Sequence, residues 1–485
     1  MGLVPIFTAL VGWGITFAIV GLFLWMFLRR KWDLVNFNTI FLVGFMQFYS
    51  IAIIFFSVAD TAKYFENYTP PPGVWDMMSG LMLMFIPLYL VGYRAAAKWE
   101  WPQRLLPKFD APVSYSGVLL VIGVMASGVL VTTGLGFASY GEFFAIMVRP
   151  AMASFAVGLA VVLVIKQPGN ILFWGMFAVL FVMALLVGMT FQSGRRDALG
   201  AFLAALWVAY WGWLRYRPVS RQLGLVSVLS FVALVFLFTY TNIRGLSAPE
   251  GAGLEMRAGQ LQDIASGKIN PFASENVVAV LYQDACIYTC YAVEEYPRTH
   301  PLIPFQGLGF FVTNPLPRIF WEDKPVAMGI QMQKHLNAGG NLGIGIIGHG
   351  WIELEYLGVV MYALFFGMLY RVMDEALKRR AGNPYFIAAM GTGLGHMLAL
   401  PRGEVSLFLL MWCYGFGTLV VMMFFIKLML GSFMGAAGFF TFGIDDPKNN
   451  PGAAGGGAEL EEFETADAVV GLADYGEIEH AAVRG

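Results

Sequence analysis

The chain has little charge and almost no cysteine for its length. Of its 485 residues only 13% are charged, whereas a soluble globular domain carries about 25%. So few charges cannot cover the surface of a water-soluble protein of this size. The three cysteines are too few for a disulfide scaffold, and the net charge of -2 argues against a nucleic-acid binder, which would show a basic excess. The composition therefore excludes a soluble enzyme and a secreted module.

Apolar residues make up 58% of the chain. A bilayer core of about 30 Å is crossed by roughly 20 apolar residues in a helix. We therefore predict an all-α polytopic membrane protein with about eleven transmembrane helices. The first apolar run is interpreted as a true span rather than a signal peptide, because its basic residues follow it. The predicted spans are residues 4–28, 37–58, 77–93, 115–136, 143–165, 170–191, 197–214, 223–241, 351–370, 384–400 and 405–430.

Basic residues recur in alternate loops between these spans. Because basic loops remain in the cytoplasm, this pattern predicts an outside N-terminus and a cytoplasmic C-terminus. Residues 1–241 and 351–430 then form the transmembrane bundle, and residues 242–350 form one large outer loop. A structureless loop of that length is uncommon, so we expect a partly helical cap. The tail 431–485 is rich in Gly, Ala, Asp and Glu, and we predict that it is disordered.

A few cations break this inside-positive pattern. Arg195 and Arg196, in SGRRD, lie in the outer turn between spans six and seven, and Arg402, in PRGE, lies between spans ten and eleven. Arg149 lies roughly 9 Å inside span five. An ionisable group at that depth indicates function, although this arginine could also extend to the interface or pair with an acid such as Asp197.

Further polar residues are predicted at the same end of the bundle. His396 and Glu404 flank the outer turn after span ten, and His349 and Glu353, in HGWIELEYLG, share one helix face. Two ligands are too few for a zinc site, and each histidine alone is equally well interpreted as a hydrogen-bonded packing residue. With the arginines, however, the group predicts an anion-binding site, because guanidinium groups bind phosphate oxygens bidentately.

The large loop contributes two more basic residues and two cysteines. Arg318 and Lys324 occur in NPLPRIFWEDKP, where they could contact a phosphate or lie at the membrane interface. Cys286 and Cys290 could form a local disulfide or remain free thiols on an apolar helix, and a metal pair is less favoured. Cys413 is expected to pack inside a span.

Three segments carry a resemblance to one family: SGRRDALGAFLAAL, NPLPRIFWEDKP and HGWIELEYLGVVMYALFFGMLYR. They are similar to the arginine turn, the PR-x-x-W-x-x-KP loop element and the Glu- and Gly-bearing helix of the bacterial oligosaccharide repeat-unit polymerases. This is the Wzy-type family, which includes the O-antigen polymerases. The likeness in layout covers residues 1–430. The family usually has proline where Glu322 or Asp323 stands here.

The resemblance implies a membrane glycosyltransferase of the bacterial inner membrane, related to the O-antigen ligases. Its substrates would be polyprenyl-pyrophosphate-linked oligosaccharides at the outer leaflet, joined into O-antigen, capsule or exopolysaccharide. The growing glycan would pass from its lipid pyrophosphate to a sugar hydroxyl of a new lipid-linked unit. The resemblance implies no cofactor and no metal. A chain-length regulator is a further implied partner beside the lipid bilayer.

The resemblance also implies roles for the residues named above. Arg195 and Arg196 would bind the pyrophosphate and stabilise its departure, while Glu353, His349 or His396 would accept the proton of the acceptor hydroxyl. The further substrate contacts would come from Arg402, Arg318, Lys324, Arg149, His396 and Glu404.

Three alternatives remain open from the sequence. A ligase that transfers glycan to another lipid or protein acceptor would have a similar layout. A transporter is less favoured, because its polar groups are expected near the midplane on broken helices and no internal repeat is found. A third alternative is a structural or assembly factor of an envelope complex, in which the outer cations would have no function.

Overall fold

A computed structural model describes most of the chain from residue 4 to residue 434. The described residues are 4–28, 33–58, 68–107, 109, 114–134, 139–190, 195–244, 259–260, 262–264, 266–273, 281, 284–314, 316, 320–336 and 342–434. The predicted disordered tail lies outside them from residue 435 onward, while residues 431–434 continue the last helix.

The regular structure of the described residues is helical. In that part of the chain, nine helical segments are long and apolar enough to cross a membrane, and the protein is an all-α polytopic membrane protein, as predicted. A π-helical segment, Met46–Ile51, joins α2 and α3 into one continuous element. The helices are α1 Ile6–Leu28, α2 Phe37–Phe45, α3 Ala52–Val58, α4 Pro72–Ala95, α5 Trp101–Leu105, α6 Tyr115–Gly134, α7 Ser139–Lys166, α8 Ile171–Thr190, α9 Arg195–Gly212, α10 Val219–Arg244, α11 Ala285–Glu295, α12 Gln306–Thr313, α13 Met328–Leu336, α14 Gly345–Arg379, α15 Pro384–Met390, α16 Leu394–Ala399 and α17 Val405–Met434.

The prediction of one continuous helix over 384–400 is wrong. The chain forms two short helices there, α15 and α16, separated by residues 391–393. Gly393 has a φ of +67°, a left-handed conformation that glycine adopts without the steric cost of a Cβ. The break places the N-terminus of α16 inside the bundle, against α9 and α17.

Helix α7 lies at the centre of one half of the bundle. It packs against α6, α8, α9 and α17, and its residues 151–164 are all buried. In the other half α4 packs along α14, where Gly92 and Gly367 let the two backbones touch. An added Cβ at Gly367 would overlap the carbonyl oxygen of Tyr89. Such small residues are typical of helix contacts in membranes, where close approach maximises packing.

A sharp corner divides α14 into two arms, 345–353 and 356–379. Leu354 and Glu355 have non-helical backbone angles, and Glu355 has a φ of +49°. The corner brings the backbones of Gly350 and Gly358 into contact, so the short arm turns back beside the start of the long one. The helix therefore begins six residues before the predicted span at 351, inside the stretch predicted to be loop.

One end of the bundle collects the loops that the sequence marks as basic. Arg215 Nε lies 2.8 Å from Asp33 Oδ1, and Arg380 donates a hydrogen bond to the Pro107 carbonyl at 2.8 Å. These contacts join the loops after α1, α5, α9 and α14. We refer to this end as the basic end and to the opposite one as the site end.

The predicted outer loop also contributes a helix to the protein core. Helix α11 packs against α4 and α14, and all its residues from Ala285 to Val293 are buried. Cys286 and Cys290 lie on it and are not joined by a disulfide. The loop is therefore more than a cap, because its apolar helix is part of the packed bundle.

Candidate functional site

Three of the predicted site residues meet in one buried group at the site end. His349 Nε2 lies 3.4 Å from Glu404 Oε1. His349, Glu404 and Glu353 are each at most 4% exposed. Glu353 Oε1 accepts a hydrogen bond from the Tyr362 hydroxyl at 2.9 Å. We call these four residues, His349, Glu353, Tyr362 and Glu404, the carboxylate cluster.

Each carboxylate of the cluster also binds a backbone amide of the large loop. The Gly307 N–H donates to Glu353 Oε1 at 2.7 Å, and the Gly329 N–H donates to Glu404 Oε2 at 2.6 Å. Gly307 lies in the first turn of α12 and Gly329 in the first turn of α13. Amides in a first helical turn have no partner within the helix, and the helix dipole favours a negative charge there.

A second group of polar residues lines a small cavity between α7, α9, α16 and α17. The cavity measures about 20 Å³, which is room for one water molecule or one hydroxyl group. Arg196, Asp197 and His396 line it together with Thr392 and Trp412. We call it the arginine cavity. It unites two predicted site residues, Arg196 and His396, from segments about two hundred positions apart.

The polar contacts in the cavity favour a proton-accepting histidine. His396 Nδ1 lies 3.7 Å from Asp197 Oδ1, and both side chains are buried. Among the described residues, Nε2 of His396 has no hydrogen-bond partner. A carboxylate beside one ring nitrogen orients the ring, which leaves the other nitrogen as the candidate acceptor for a substrate proton.

The arginine cavity and the carboxylate cluster meet at the first turn of α17. The Arg196 guanidinium lies 4.2 Å from the centre of the Phe408 ring, and the His396 ring contacts the same phenyl group at 5.7 Å. Phe408 is one helical turn after Glu404, whose carbonyl accepts its N–H. A shift of this turn would therefore move both groups.

Two of the predicted substrate-binding cations form contacts within the protein. Arg402 makes a bidentate contact with Asp284, with Nε at 2.9 Å and Nη2 at 3.2 Å from the two carboxylate oxygens. Lys324 Nζ donates to the carbonyls of Asn314 and Leu316 at 3.0 and 2.7 Å. The first contact ties the turn before α17 to α11, and the second closes the loop segment that follows α12.

The remaining predicted cations either contact another part of the protein or lie outside the described residues. Arg149 is 5% exposed and donates to the Thr132 carbonyl on α6. Arg195 begins α9, but its side chain lies outside the described part of the structure. Arg318 lies outside it altogether. Their substrate roles stay predictions.

Sequence reasoning missed Asp197, Tyr362 and Asp284 as site residues. Asp197 follows the two arginines directly, and an acid in the first turn of a helix was a usable signal. Tyr362 is one of many aromatic residues in an apolar span, so its contact with Glu353 had no local signal. Within the described residues, no three His, Cys, Asp or Glu side chains come together as a metal site.

A stacked histidine pair at the end of α13 makes the large loop sensitive to pH. The His300 and His335 rings lie 4.0 Å apart, and the Tyr296 hydroxyl lies 3.1 Å from His335 Nδ1. Burial and the neighbouring His300 lower the pKa of His335. Between about pH 6.5 and the lowered pKa, His335 is protonated in the unfolded chain but not in the folded chain. The free energy of unfolding therefore decreases as the pH is lowered through this range.

We expect the thermal unfolding midpoint of the purified protein to decrease as the pH is lowered from about 7.5 to about 5. The His335→Gln variant should show a smaller fall, because it removes the group with the lowered pKa. Equal falls in the two proteins would assign the pH dependence to other groups.

Comparison of the chain with protein-family models, with curated proteins and with solved structures finds no match in any of the three.

Proposed function

We propose that the protein is a membrane glycosyltransferase that polymerises polyprenyl-pyrophosphate-linked oligosaccharide repeat units. The reaction would occur at the outer leaflet of a bacterial inner membrane. The observation that carries the proposal is the arginine cavity, where Arg196 adjoins the buried Asp197 and His396. This arrangement puts a cation for a phosphate leaving group beside a base for a hydroxyl acceptor, which are the two requirements of this transfer.

The leaving group is a lipid pyrophosphate, whose charge increases as the sugar–phosphate bond breaks. Arg196 would bind its oxygens, and the N-terminus of α9 would add the positive end of the helix dipole. Arg195, the first residue of the same helix, is the second candidate for this role. Preorganised cations of this kind lower a barrier because they stabilise the transition state more than the substrate.

The acceptor is a sugar hydroxyl of a second lipid-linked unit. It would donate its proton to His396 Nε2 while its oxygen attacks the anomeric carbon of the growing glycan. The bond from that carbon to the pyrophosphate breaks, and the lipid pyrophosphate leaves. The small cavity suits this step, since it has room for a single hydroxyl while the rest of the sugar stays outside.

The position of these groups along the bundle supports an enzyme over a transporter. Arg196 and Asp197 lie in the first turn of α9, Glu404 directly precedes α17, and the carboxylate cluster binds amides of the large loop. A transporter is expected to hold its substrate near the midplane on broken helices. The breaks at 354–355 and 391–393 are compatible with either class, so the support for an enzyme comes from the helix ends and the loop contacts. The basic loops at the other end support the cytoplasmic assignment of that end, and with it a site that faces outward.

The test is reconstitution of the purified protein in liposomes with lipid-linked repeat units. We expect a ladder of lipid-linked glycans that grows by one repeat unit at a time. Movement of the units across the bilayer without elongation would overturn the proposal in favour of a transporter. A single transfer to a different lipid or protein acceptor would replace polymerisation with ligation.

The His396→Gln variant tests the assigned base in the same assay. We expect it to lose elongation by about a hundredfold, the usual range for removal of a general base. His300→Gln is the matched control, because His300 lies in the large loop and stacks on His335 instead. A His396→Gln variant with full elongation would remove the histidine from the proposed mechanism.

A further inference from the structure

The two glutamates of the carboxylate cluster bind the loop in equivalent ways. Glu353 binds the first turn of α12, and Glu404 binds the first turn of α13. Glu353 lies in α14 and Glu404 directly precedes α17, and both side chains are almost fully buried. Each therefore forms a hydrogen bond in a place that water hardly reaches, where loss of the acceptor leaves a buried amide unpaired and is costly.

The two contacts lie on either side of a single loop segment. Helix α12 ends at Thr313 and α13 begins at Met328, so residues 314–327 run between the two bound helices. Three further hydrogen bonds involve its described residues. Lys324 Nζ binds the carbonyls of Asn314 and Leu316, and the Gln306 side chain donates to the Val326 carbonyl at 2.8 Å.

The bonding of Glu353 also argues against a role as the base. Its Oε1 already accepts two hydrogen bonds, from the Gly307 amide and the Tyr362 hydroxyl. An oxygen that accepts two donors from within the protein is engaged in holding the large loop, and it is not directed at a substrate hydroxyl.

We propose that Glu353 and Glu404 are positioning residues, which hold α12 and α13 by their N-terminal turns and so fix the part of the large loop that these two helices form at the site end. This inference deepens the proposed function and rests on it for the effect on activity. The helix docking does not depend on that function. Proton transfer is left to His396, and the carboxylates act through the loop that they anchor.

The experiment separates docking from carboxylate chemistry. Glu353→Gln and Glu404→Gln keep an oxygen that accepts the amide N–H but remove the charge, whereas Glu353→Ala and Glu404→Ala remove the acceptor. Hydrogen exchange of residues 306–313 and 328–336 in nanodiscs reports docking, and elongation in liposomes reports activity. Glu355→Gln is the control, since it makes the same substitution at a glutamate two residues after Glu353.

We expect the glutamine variants to keep both the exchange protection and elongation within about threefold of the wild type. In the alanine variants, exchange in the bound helix should become about tenfold faster or more, and elongation should fall in parallel. A glutamine variant that is as inactive as its alanine counterpart, with exchange unchanged, would overturn the inference. So would alanine variants with unchanged exchange. If the wild type does not elongate at all, the proposed function fails while the exchange result still stands.

Substitutions at two glycines of α12 test the same docking and leave both carboxylates in place. An added Cβ at Gly307 would lie 2.5 Å from Ser406 Oγ, 2.7 Å from the Tyr362 hydroxyl and 2.8 Å from Glu353 Oε1. At Gly309, two residues along α12, the nearest atom would be Pro325 Cγ at 3.5 Å, an ordinary contact. Gly307→Ala should therefore speed exchange in α12 and Gly309→Ala should not. Equal exchange in the two variants would contradict docking at this contact.

Discussion

Replacing Arg196 with alanine is expected to reduce elongation by about a hundredfold or more, the range found when one preorganised donor to a transition-state charge is removed. The guanidinium stacks on Phe408 and lines the arginine cavity, so its position is set before substrate binds. The loss should appear mainly in kcat, since the charge on the pyrophosphate increases as it leaves. The measurement is the rate of repeat-unit addition in liposomes.

Arg217 provides the matched control for this substitution. It too is an arginine stacked on an aromatic ring, at 5.0 Å from the centre of Trp213, but it lies at the basic end of the bundle. Arg217→Ala should elongate at the wild-type rate. Arg196→Lys should recover only part of the activity, because lysine keeps the charge and loses the planar fork. Wild-type elongation by Arg196→Ala would exclude this residue from leaving-group stabilisation.

The largest structural effect is expected for Gly395→Ala. A Cβ on Gly395 would overlap the carbonyl oxygen of Arg196 and would lie 3.0 Å from the Gly200 amide nitrogen. Because both neighbours are backbone atoms, α9 and α16 would have to move apart, and they carry Arg196 and His396. We expect a loss of about 1–3 kcal/mol in stability, typical of overpacking, together with loss of elongation. Thermal unfolding and the liposome assay measure the two effects.

Gly200→Ala is the control on the facing helix. Its added Cβ would have only the Gly395 amide nitrogen within reach, at 3.7 Å. Alanine also favours the helix over glycine by about 1 kcal/mol. We therefore expect unchanged or higher stability and normal elongation. A Gly395→Ala protein as stable and active as the wild type would mean that the two backbones are not in contact at this point.

Much of the fold could be predicted from the sequence. The all-α membrane class is confirmed, and the α8 helix, Ile171–Thr190, differs from its predicted span by one residue at each end. Two features could not be predicted. The corner in α14 lies at Leu354 and Glu355, which carry no helix-breaking signal, and the break at 391–393 lies in a run that is apolar enough for one helix. Contacts with neighbouring helices compensate for both irregularities.

Prediction of the site was less complete. The sequence placed charged residues at one end of the bundle, and the structure brings His349, Glu353 and Glu404 together there, and Arg196 with His396. It also predicted a substrate contact for Arg402, whereas the Arg402 guanidinium binds Asp284, 118 positions away. A sequence shows which residues are charged, but it does not show which of them bind each other.

The sequence by itself determined the class of the protein and most of its long apolar helices. Those properties follow from the hydrophobicity of single segments, because each helix must satisfy the bilayer on its own. Only the tertiary structure decided which partner each charged side chain contacts: His396 for Asp197, the Gly307 amide for Glu353, the Gly329 amide for Glu404 and Asp284 for Arg402. Pairing depends on how the helices rotate and how closely they approach, and both are set by contacts between segments far apart in the chain, such as those at Gly395 and Gly307.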